Sequence, residues 1–184
     1  MSALAALLLI GSASPEAPLL DAFKAACTRI DDFAGAQADI PKAGWQPVAE
    51  DVEPRLAGLL KLGREAIGDI GKISGSTYRA TFEGRPVYLV LSRFEDTSGF
   101  WGNGCRAYDF DATTPIATEA LDAWVGRAAT DSRDQAGIVK RQWEPGWRDG
   151  MSVEAAYIPA GHPGVGKTGL QGRVLVAEAN GGSK

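Results

Sequence analysis

Residues 76–94, STYRATFEGRPVYLVLSRF, are rich in β-branched and aromatic residues on both sides of Glu83-Gly84. Such side chains favour the pleated, half-buried surface of a sheet, and glycine accepts the backbone conformations that tight turns require. The stretch therefore predicts two strands joined by a short turn, an antiparallel hairpin at the start of a sheet.

Further strand patterns follow the hairpin. After the glycine-rich stretch SGFWGNG (98–104), which is predicted to be a loop tip, CRAYDF (105–110) is predicted to be a third strand. Later in the chain, Asp149-Gly150 is a strong hairpin turn signal. The predicted strands of this second group lie in GIVKRQWEPGW (137–147), MSVEAAYIPA (151–160) and LQGRVLVAEA (170–179).

Three segments space their apolar residues by three or four positions, as amphipathic helices do. They begin at Pro18, at Pro54 and at Thr114-Pro115, where threonine suits an N-cap and proline the first helical position. The stripes are Leu19, Phe23, Ala26, Ile30 and Phe33; Leu56, Leu59, Leu60, Gly63 and Ile67; and Ile116, Ala120, Trp124 and Ala128.

The order α-α-βββ-α-βββ predicts an α+β fold. We expect a two-layer sandwich in which helices pack on one face of a mainly antiparallel sheet of about six strands. A chain of 184 residues suffices for one domain with a sizeable core. That domain is predicted over residues 15–180, with a flexible tail at 181–184.

The first fourteen residues, MSALAALLLIGSAS, carry no charged side chain. The apolar run from Ala3 to Ile10 is too short to cross a membrane but suits the centre of a signal peptide, and small residues follow it. The sequence therefore predicts a signal peptide at 1–14, a periplasmic or secreted protein, and no stable membrane insertion of the mature chain. Because the leader lacks lysine and arginine, the alternatives are the apolar start of a buried helix or a chain whose true start lies upstream, in a cytoplasmic protein.

The net charge is −4 and the isoelectric point is near 5.1. This balance gives no basic footprint for nucleic acid, so a nucleic-acid partner is not expected. The chain has only two cysteines, Cys27 and Cys105, and one histidine, His162, which are too few ligands for a structural zinc site. In an exported chain the cysteines predict one disulfide; in a cytoplasmic chain they would be two buried thiols.

The segment GHPGVGKT (161–168) matches the P-loop pattern at every fixed position. A working P-loop needs a helix directly after it, because the helix N-terminus and the loop amides hold the phosphates. Here Gly169 and Gly172 occupy the first helical turn, and the residues beyond them are typical of a strand. We interpret the match as a coincidence in a hairpin loop and expect neither a nucleotide nor another cofactor.

No group of residues predicts a catalytic centre. His162 lies beside a proline in a glycine-rich loop, and a surface histidine is the more common explanation. The carboxylate groups Asp31-Asp32, Glu95-Asp96 and Asp109/Asp111 could belong to a hydrolase of the cell envelope, but strand ends and surfaces carry many such groups. The sequence favours a non-enzymatic protein, with the carboxylate-based hydrolase as the alternative.

Aromatic residues near turns are the best candidates for binding. Those in or beside predicted turns are Phe100, Trp101, Trp143 and Trp147. Large, rigid rings at loop tips can form a patch for a ligand or a partner protein. The alternative is that the rings cover the end of the core, where Trp45 and Trp124 are also expected.

Four short motifs are similar to those of small exported bacterial proteins of uncharacterised function. They are AAC (25–27), AGWQPV (43–48), GCRAYDF (104–110) and WEPGW (143–147). The resemblance implies export and a Cys27–Cys105 bridge, and it brings no catalytic residues. Together with the aromatic residues, it suggests a binding or accessory domain for an unknown protein or cell-envelope ligand.

Overall fold

A computed structural model describes residues 14–182. The predicted signal peptide and the end of the predicted tail therefore lie outside the described residues, apart from Ser14, Gly181 and Gly182. The helices are α1 (Ala17–Cys27), α2 (Phe33–Asp39), α3 (Pro54–Ile67), α4 (Thr118–Val125) and the single turn α5 (Val165–Thr168), with a short 3₁₀ helix at Pro41–Ala43. The strands are β1 (Gln46–Val48), β2 (Gly71–Phe82), β3 (Arg85–Asp96), β4 (Trp101–Asp109), β5 (Asp131–Gln135), β6 (Ile138–Trp143), β7 (Met151–Ile158) and β8 (Gly172–Gly181).

The strands form one antiparallel sheet in the order β1-β2-β3-β4-β8-β7-β6-β5. Two four-strand meanders thus meet where β4 pairs with β8. The α+β class and the mainly antiparallel sheet are confirmed, but the expected number of about six strands is wrong. The two edge strands were not predicted: β1 has three residues around Pro47, and β5 is polar throughout.

The hairpin predicted around Glu83-Gly84 is confirmed. Both residues have positive φ, 51° and 76°, and they connect Phe82 of β2 directly to Arg85 of β3. Two consecutive positive φ values define the two-residue type I′ turn, whose twist matches that of the flanking strands.

The main core lies on the first face of the sheet, under α1, α2 and α4. Phe23 of α1 and Leu89 of β3 are fully buried there. Cys27, at the end of α1, forms a disulfide with Cys105 in β4, so the predicted pairing is confirmed and it fastens this helix to the centre of the sheet. Burial of these apolar side chains stabilises the fold by roughly 25 cal/mol per Å² removed from water.

Helix α3 lies on the second face of the sheet. Its Leu56 is fully buried against Tyr88, Val90 and Phe110, while the intervening residues of β3 face the main core. Successive strand residues point to opposite faces, so β3 is covered on both sides. The expectation that all helices pack on one face is therefore wrong, and this part of the fold has three layers.

Two helix boundaries differ from the predicted ones. The first helical stripe is divided, because the Asp32 side chain accepts a hydrogen bond from the Gly35 amide and begins α2 anew. The helix predicted from Thr114 is α4, and it begins at Thr118 instead. Thr114 does not cap it: its hydroxyl and carbonyl oxygens accept hydrogen bonds from Arg173.

Ion pairs at the start of α3 and between β5 and β6 make stability depend on pH. A hydrogen bond from Arg55 lowers the pKa of Glu53, and one from Arg141 lowers the pKa of Asp134. A carboxyl whose pKa is lower when folded binds fewer protons in the folded state. Its contribution is complete above the unfolded pKa, about 4 to 4.5, and is lost as the pH falls through the folded value.

We therefore expect the urea midpoint of unfolding to fall as the pH is lowered from about 5 to about 2. Urea titrations at several pH values measure this directly. Asp134→Asn removes one of the contributing carboxyls, so its midpoint should fall less steeply with acid than that of the wild type. A wild-type midpoint that rises on acidification would contradict the prediction.

Within residues 14–182, no helix combines the length and the apolar character needed to cross a membrane.

Candidate functional site: the open edge of strand β2

The four aromatic residues predicted as a binding patch do not lie together. Trp143 is fully buried, and its indole nitrogen donates to Asp122 and to the Arg127 carbonyl, both at 3.1 Å. Trp147 is half-buried against Trp124, with ring centroids 5.1 Å apart. Trp143 therefore offers no surface to a ligand, and Trp147 mainly covers the core.

Phe100 and Trp101 lie at the start of β4, at the same end of the sheet as Trp143 and Trp147. The predicted loop tip 98–104 is shorter than expected, because Trp101 already belongs to β4. The Trp101 ring packs on the first face, 5.4 Å from the Arg93 guanidinium carbon. Phe100 instead lines a recess on the second face, so the two neighbours cannot form one patch.

The predicted carboxylate groups are each engaged by the protein itself. Asp109 lies at the end of β4, but it is almost fully buried and accepts a bond from Arg85 at 3.0 Å, so it is not a solvated surface group. Asp111 pairs with Arg55 at 2.9 Å. The remaining four have partners as well: Asp31 with Arg148, Asp32 with the Gly35 amide, Glu95 with Arg93, and Asp96 with the amides of Ser98 and Phe100.

The P-loop-like segment lies in the loop between the antiparallel strands β7 and β8. Its helix α5 is a single turn that ends at Gly169, where φ is +70°. The Thr168 hydroxyl bonds the Gly164 carbonyl within the loop, and Leu170 packs against the α3 side of the sheet. This segment therefore differs from the phosphate-binding arrangement of P-loop proteins, in which a strand and a loop lead into a long helix.

Strand β2 has an edge that its neighbour β1 covers only in part. β1 pairs with Thr77, Tyr78 and Arg79 alone, whereas β2 begins at Gly71. Among the described residues 14–182, residues 71–75 therefore have β3 on one side and no strand on the other. We call the outward side of residues 71–75 the open edge.

The register shows which residues direct their peptide groups outward. The type I′ turn makes the pair Phe82–Arg85 hydrogen-bonded, and hydrogen-bonded pairs then recur at every second position. Pro86 and Pro47, which lack an N–H, both fall at non-bonded positions of their ladders, in agreement with this phase.

By this alternation, three residues of β2 aim their N–H and C=O groups away from β3 at the open edge. They are Gly71, Ile73 and Gly75. A further strand can pair with such groups, and natural proteins usually block them with charges, prolines or covering segments. At the other edge of the sheet, β5 carries Asp131, Arg133 and Asp134, whereas the open edge carries only the charge of Lys72.

Exposed apolar side chains of the described chain concentrate in one segment, residues 52–73. The large apolar residues of the described chain that are most exposed are Val52, Leu62, Ile70 and Ile73, with 43%, 42%, 69% and 40% of their surface accessible. All four belong to α3, its flanks or the start of β2. Ile73 lies on the open edge itself, where an exposed apolar side chain can contact a partner.

A recess of about 280 Å³ adjoins the open edge on the second face. Ile73, Phe94 and Phe100 line its apolar side. Gly102 and Gly104 of β4, which have no side chains, form its floor. Arg106 lies across the floor, bonded to the Ser92 hydroxyl at 3.3 Å and paired with Glu178. A Cβ at position 104 would come within 2.3 Å of the Arg106 guanidinium, so glycine there makes room for it.

The open edge can bind an extended polypeptide through backbone hydrogen bonds, and its side recesses can select side chains. Sequence reasoning missed it, except for Phe100. The period-two series Gly102, Gly104 and Arg106 would have revealed the floor of the recess once 101–109 was taken as a strand. The edge itself gives no local signal, because it depends on how far β1 extends.

Among residues 14–182, no three histidine, cysteine, aspartate or glutamate side chains are grouped to hold a metal ion. Comparison of the chain with protein-family models, with curated protein sequences and with solved structures finds no match.

Proposed function

We propose that this chain is an exported, non-enzymatic binding domain that accepts an extended segment of a partner polypeptide as an additional strand beside β2. The observation that carries the proposal is the row of outward peptide groups at Gly71, Ile73 and Gly75, which ends where β1 begins. Backbone pairing of this kind supplies affinity, and flanking recesses supply specificity.

The contrast between the two edges of the sheet supports the proposal. β5 has only five residues and three charged side chains, which discourage pairing with another chain. The open edge keeps an exposed isoleucine between two glycines. An unused edge would gain from protection like that of β5, so its accessibility suggests use.

Export is supported by two features. The Cys27–Cys105 disulfide favours an oxidising compartment such as the periplasm or the extracellular space. The composition of residues 1–14 suits a signal peptide that would direct the chain there. The hydrolase alternative gains no comparable support, since the predicted carboxylate groups are engaged by arginines and backbone amides.

A library of random twelve-residue peptides displayed on phage tests the function. Peptides enriched on the wild-type protein are expected to lose at least about tenfold in affinity for Ile73→Pro, which removes the central outward N–H. Ile73→Ala retains this N–H and separates loss of the hydrogen bond from loss of the side chain. Ser132→Pro is the matched control, because Ser132 aims its N–H outward at the other edge of the sheet.

Fluorescence anisotropy with labelled peptides gives the dissociation constants, and circular dichroism checks that each variant folds. Weaker binding to Ile73→Pro alone, with Ser132→Pro unchanged, would support strand addition at β2. Failure to enrich any peptide, or equal affinity of enriched peptides for wild type and Ile73→Pro, would overturn the proposal.

A further inference from the structure

We infer that the segment bound at the open edge carries two large apolar side chains four residues apart, with a small residue midway between them. This inference rests on the proposed function, because it assigns the side chains of the strand that the edge would accept. It follows from the alternation of Gly71, Ile73 and Gly75 along the edge.

Residues paired across two strands point their side chains to the same face. A guest strand that pairs with the open edge therefore places three side chains on the second face, opposite Gly71, Ile73 and Gly75. Since glycine has no side chain, the guest residues opposite Gly71 and Gly75 find space for their own side chains. The middle guest residue meets Ile73, which is 40% exposed and stands as a ridge between the two spaces.

The space beside Gly71 has an aromatic wall. A Cβ on Gly71 would lie 2.5 Å from the Phe94 ring, so this ring leans over the glycine. Phe100 is 6.3 Å from Phe94, centroid to centroid, and it is the aromatic member of an open recess of about 330 Å³ that begins at Gly71 and is otherwise lined mainly by Lys72, Glu95, Asp96 and Thr97. A large apolar or aromatic guest side chain would pack against these rings, as aromatic residues do when they cover an edge glycine.

The space beside Gly75 lies between β2 and α3. It is a smaller recess of about 90 Å³, lined by Leu60 and Arg64 of α3 and by Val90 of β3. Glu50 also lines the recess and pairs with Arg64 at 2.9 Å, so the two charges neutralise each other there. Leu60 and Val90 then offer contacts to a second apolar guest side chain, four residues from the first.

A second copy of this chain fits the open edge poorly. Antiparallel pairing centred on Ile73 would place Gly71 opposite Gly75 of the other copy and leave both spaces empty. Pairing centred on Ser74 would place Ile73 opposite Gly75, but Gly71 would then face Thr77, whose outward groups already pair with Val48 of β1. The edge therefore suits a separate segment better than a symmetric dimer.

Two peptides of identical composition test the inference. The first is a nine-residue threonine peptide with lysine at both ends, phenylalanine at positions 3 and 7 and serine at position 5. The second exchanges the residues at positions 5 and 7, so that the phenylalanines are two residues apart. The first is expected to bind the wild-type protein about tenfold more tightly, because only its two rings reach both spaces.

Phe94→Ala removes one wall of the Gly71 space and should reduce the difference between the two peptides. Equal binding of both peptides, still abolished by Ile73→Pro, would overturn the inference and leave the proposed function standing. Failure of both peptides to bind while library peptides bind would also overturn the inference. A dimer in sedimentation that Ile73→Pro dissociates would overturn both, since the edge would then belong to a second copy.

Discussion

Replacing Cys27 and Cys105 together with alanine is expected to lower the free energy of unfolding by about 4 kcal/mol. The two cysteines are 78 positions apart in the sequence, so their bond closes a long loop and restricts the unfolded chain. Both are fully buried in the main core, between the end of α1 and the centre of the sheet. For a chain of this size the loss corresponds to a fall of about 10 °C in the thermal midpoint.

Urea unfolding of the oxidised wild type and of the double variant measures the difference. The wild type unfolded and refolded in the presence of a reductant serves as the control, because it loses the bond but keeps both cysteines. Its stability should lie close to that of the double variant. A double variant within about 1 kcal/mol of the oxidised wild type would contradict the prediction.

The second large effect is expected from Trp143→Ala, which should lower the free energy of unfolding by about 3 to 5 kcal/mol. The ring is fully buried, so its removal leaves a cavity in the main core. The Asp122 carboxylate and the Arg127 carbonyl would also lose the indole N–H that both accept. Chemical denaturation followed by circular dichroism measures the change.

Trp101→Ala is the matched control for Trp143→Ala. Both residues were predicted in or beside turns, but Trp101 is only half-buried and covers the rim of the core beside Arg93. Its replacement is expected to cost about 1 to 2 kcal/mol. A larger loss of stability in Trp101→Ala than in Trp143→Ala would contradict the assigned positions of the two rings.

Local sequence signals predicted the central elements well. The hairpin at Glu83-Gly84 and helix α3 from Pro54 to Ile67 are found where the turn residues and apolar spacing indicate them. The edge strands were not predicted because edge strands have weak sequence signals. β5 has no buried face to enforce an apolar alternation, and its sequence DSRDQ is as polar as a loop.

The cover on the second face of the sheet does have a sequence signal. Every residue of the run VYLVL (87–91) is apolar, and all five are buried. An exposed face would have required polar residues at alternate positions, so the run indicated cover on both sides of β3. The identity of the covering helix could not be read from it, because any amphipathic helix would satisfy the pattern.

The candidate site was less predictable than the fold. The aromatic residues suggested a surface patch, but a tryptophan at a turn and a tryptophan in the core have the same local sequence signature, as Trp143 shows. The open edge depends on the length of β1 and on strand order, which are properties of the assembled sheet. Only Phe100 connects the predicted residues to the recess beside it.

The junction of the two meanders has a consequence for the order of assembly during synthesis. Both cysteines lie in the first meander and its helices, so their bond can form before β8 has left the ribosome or the export channel. Until then, the inner side of β4 has no neighbour. The last strand to be synthesised therefore completes the middle of the sheet. Until β8 pairs with β4, the unpaired strand edge of the nascent chain lies at the centre of the future sheet rather than at its outer edge.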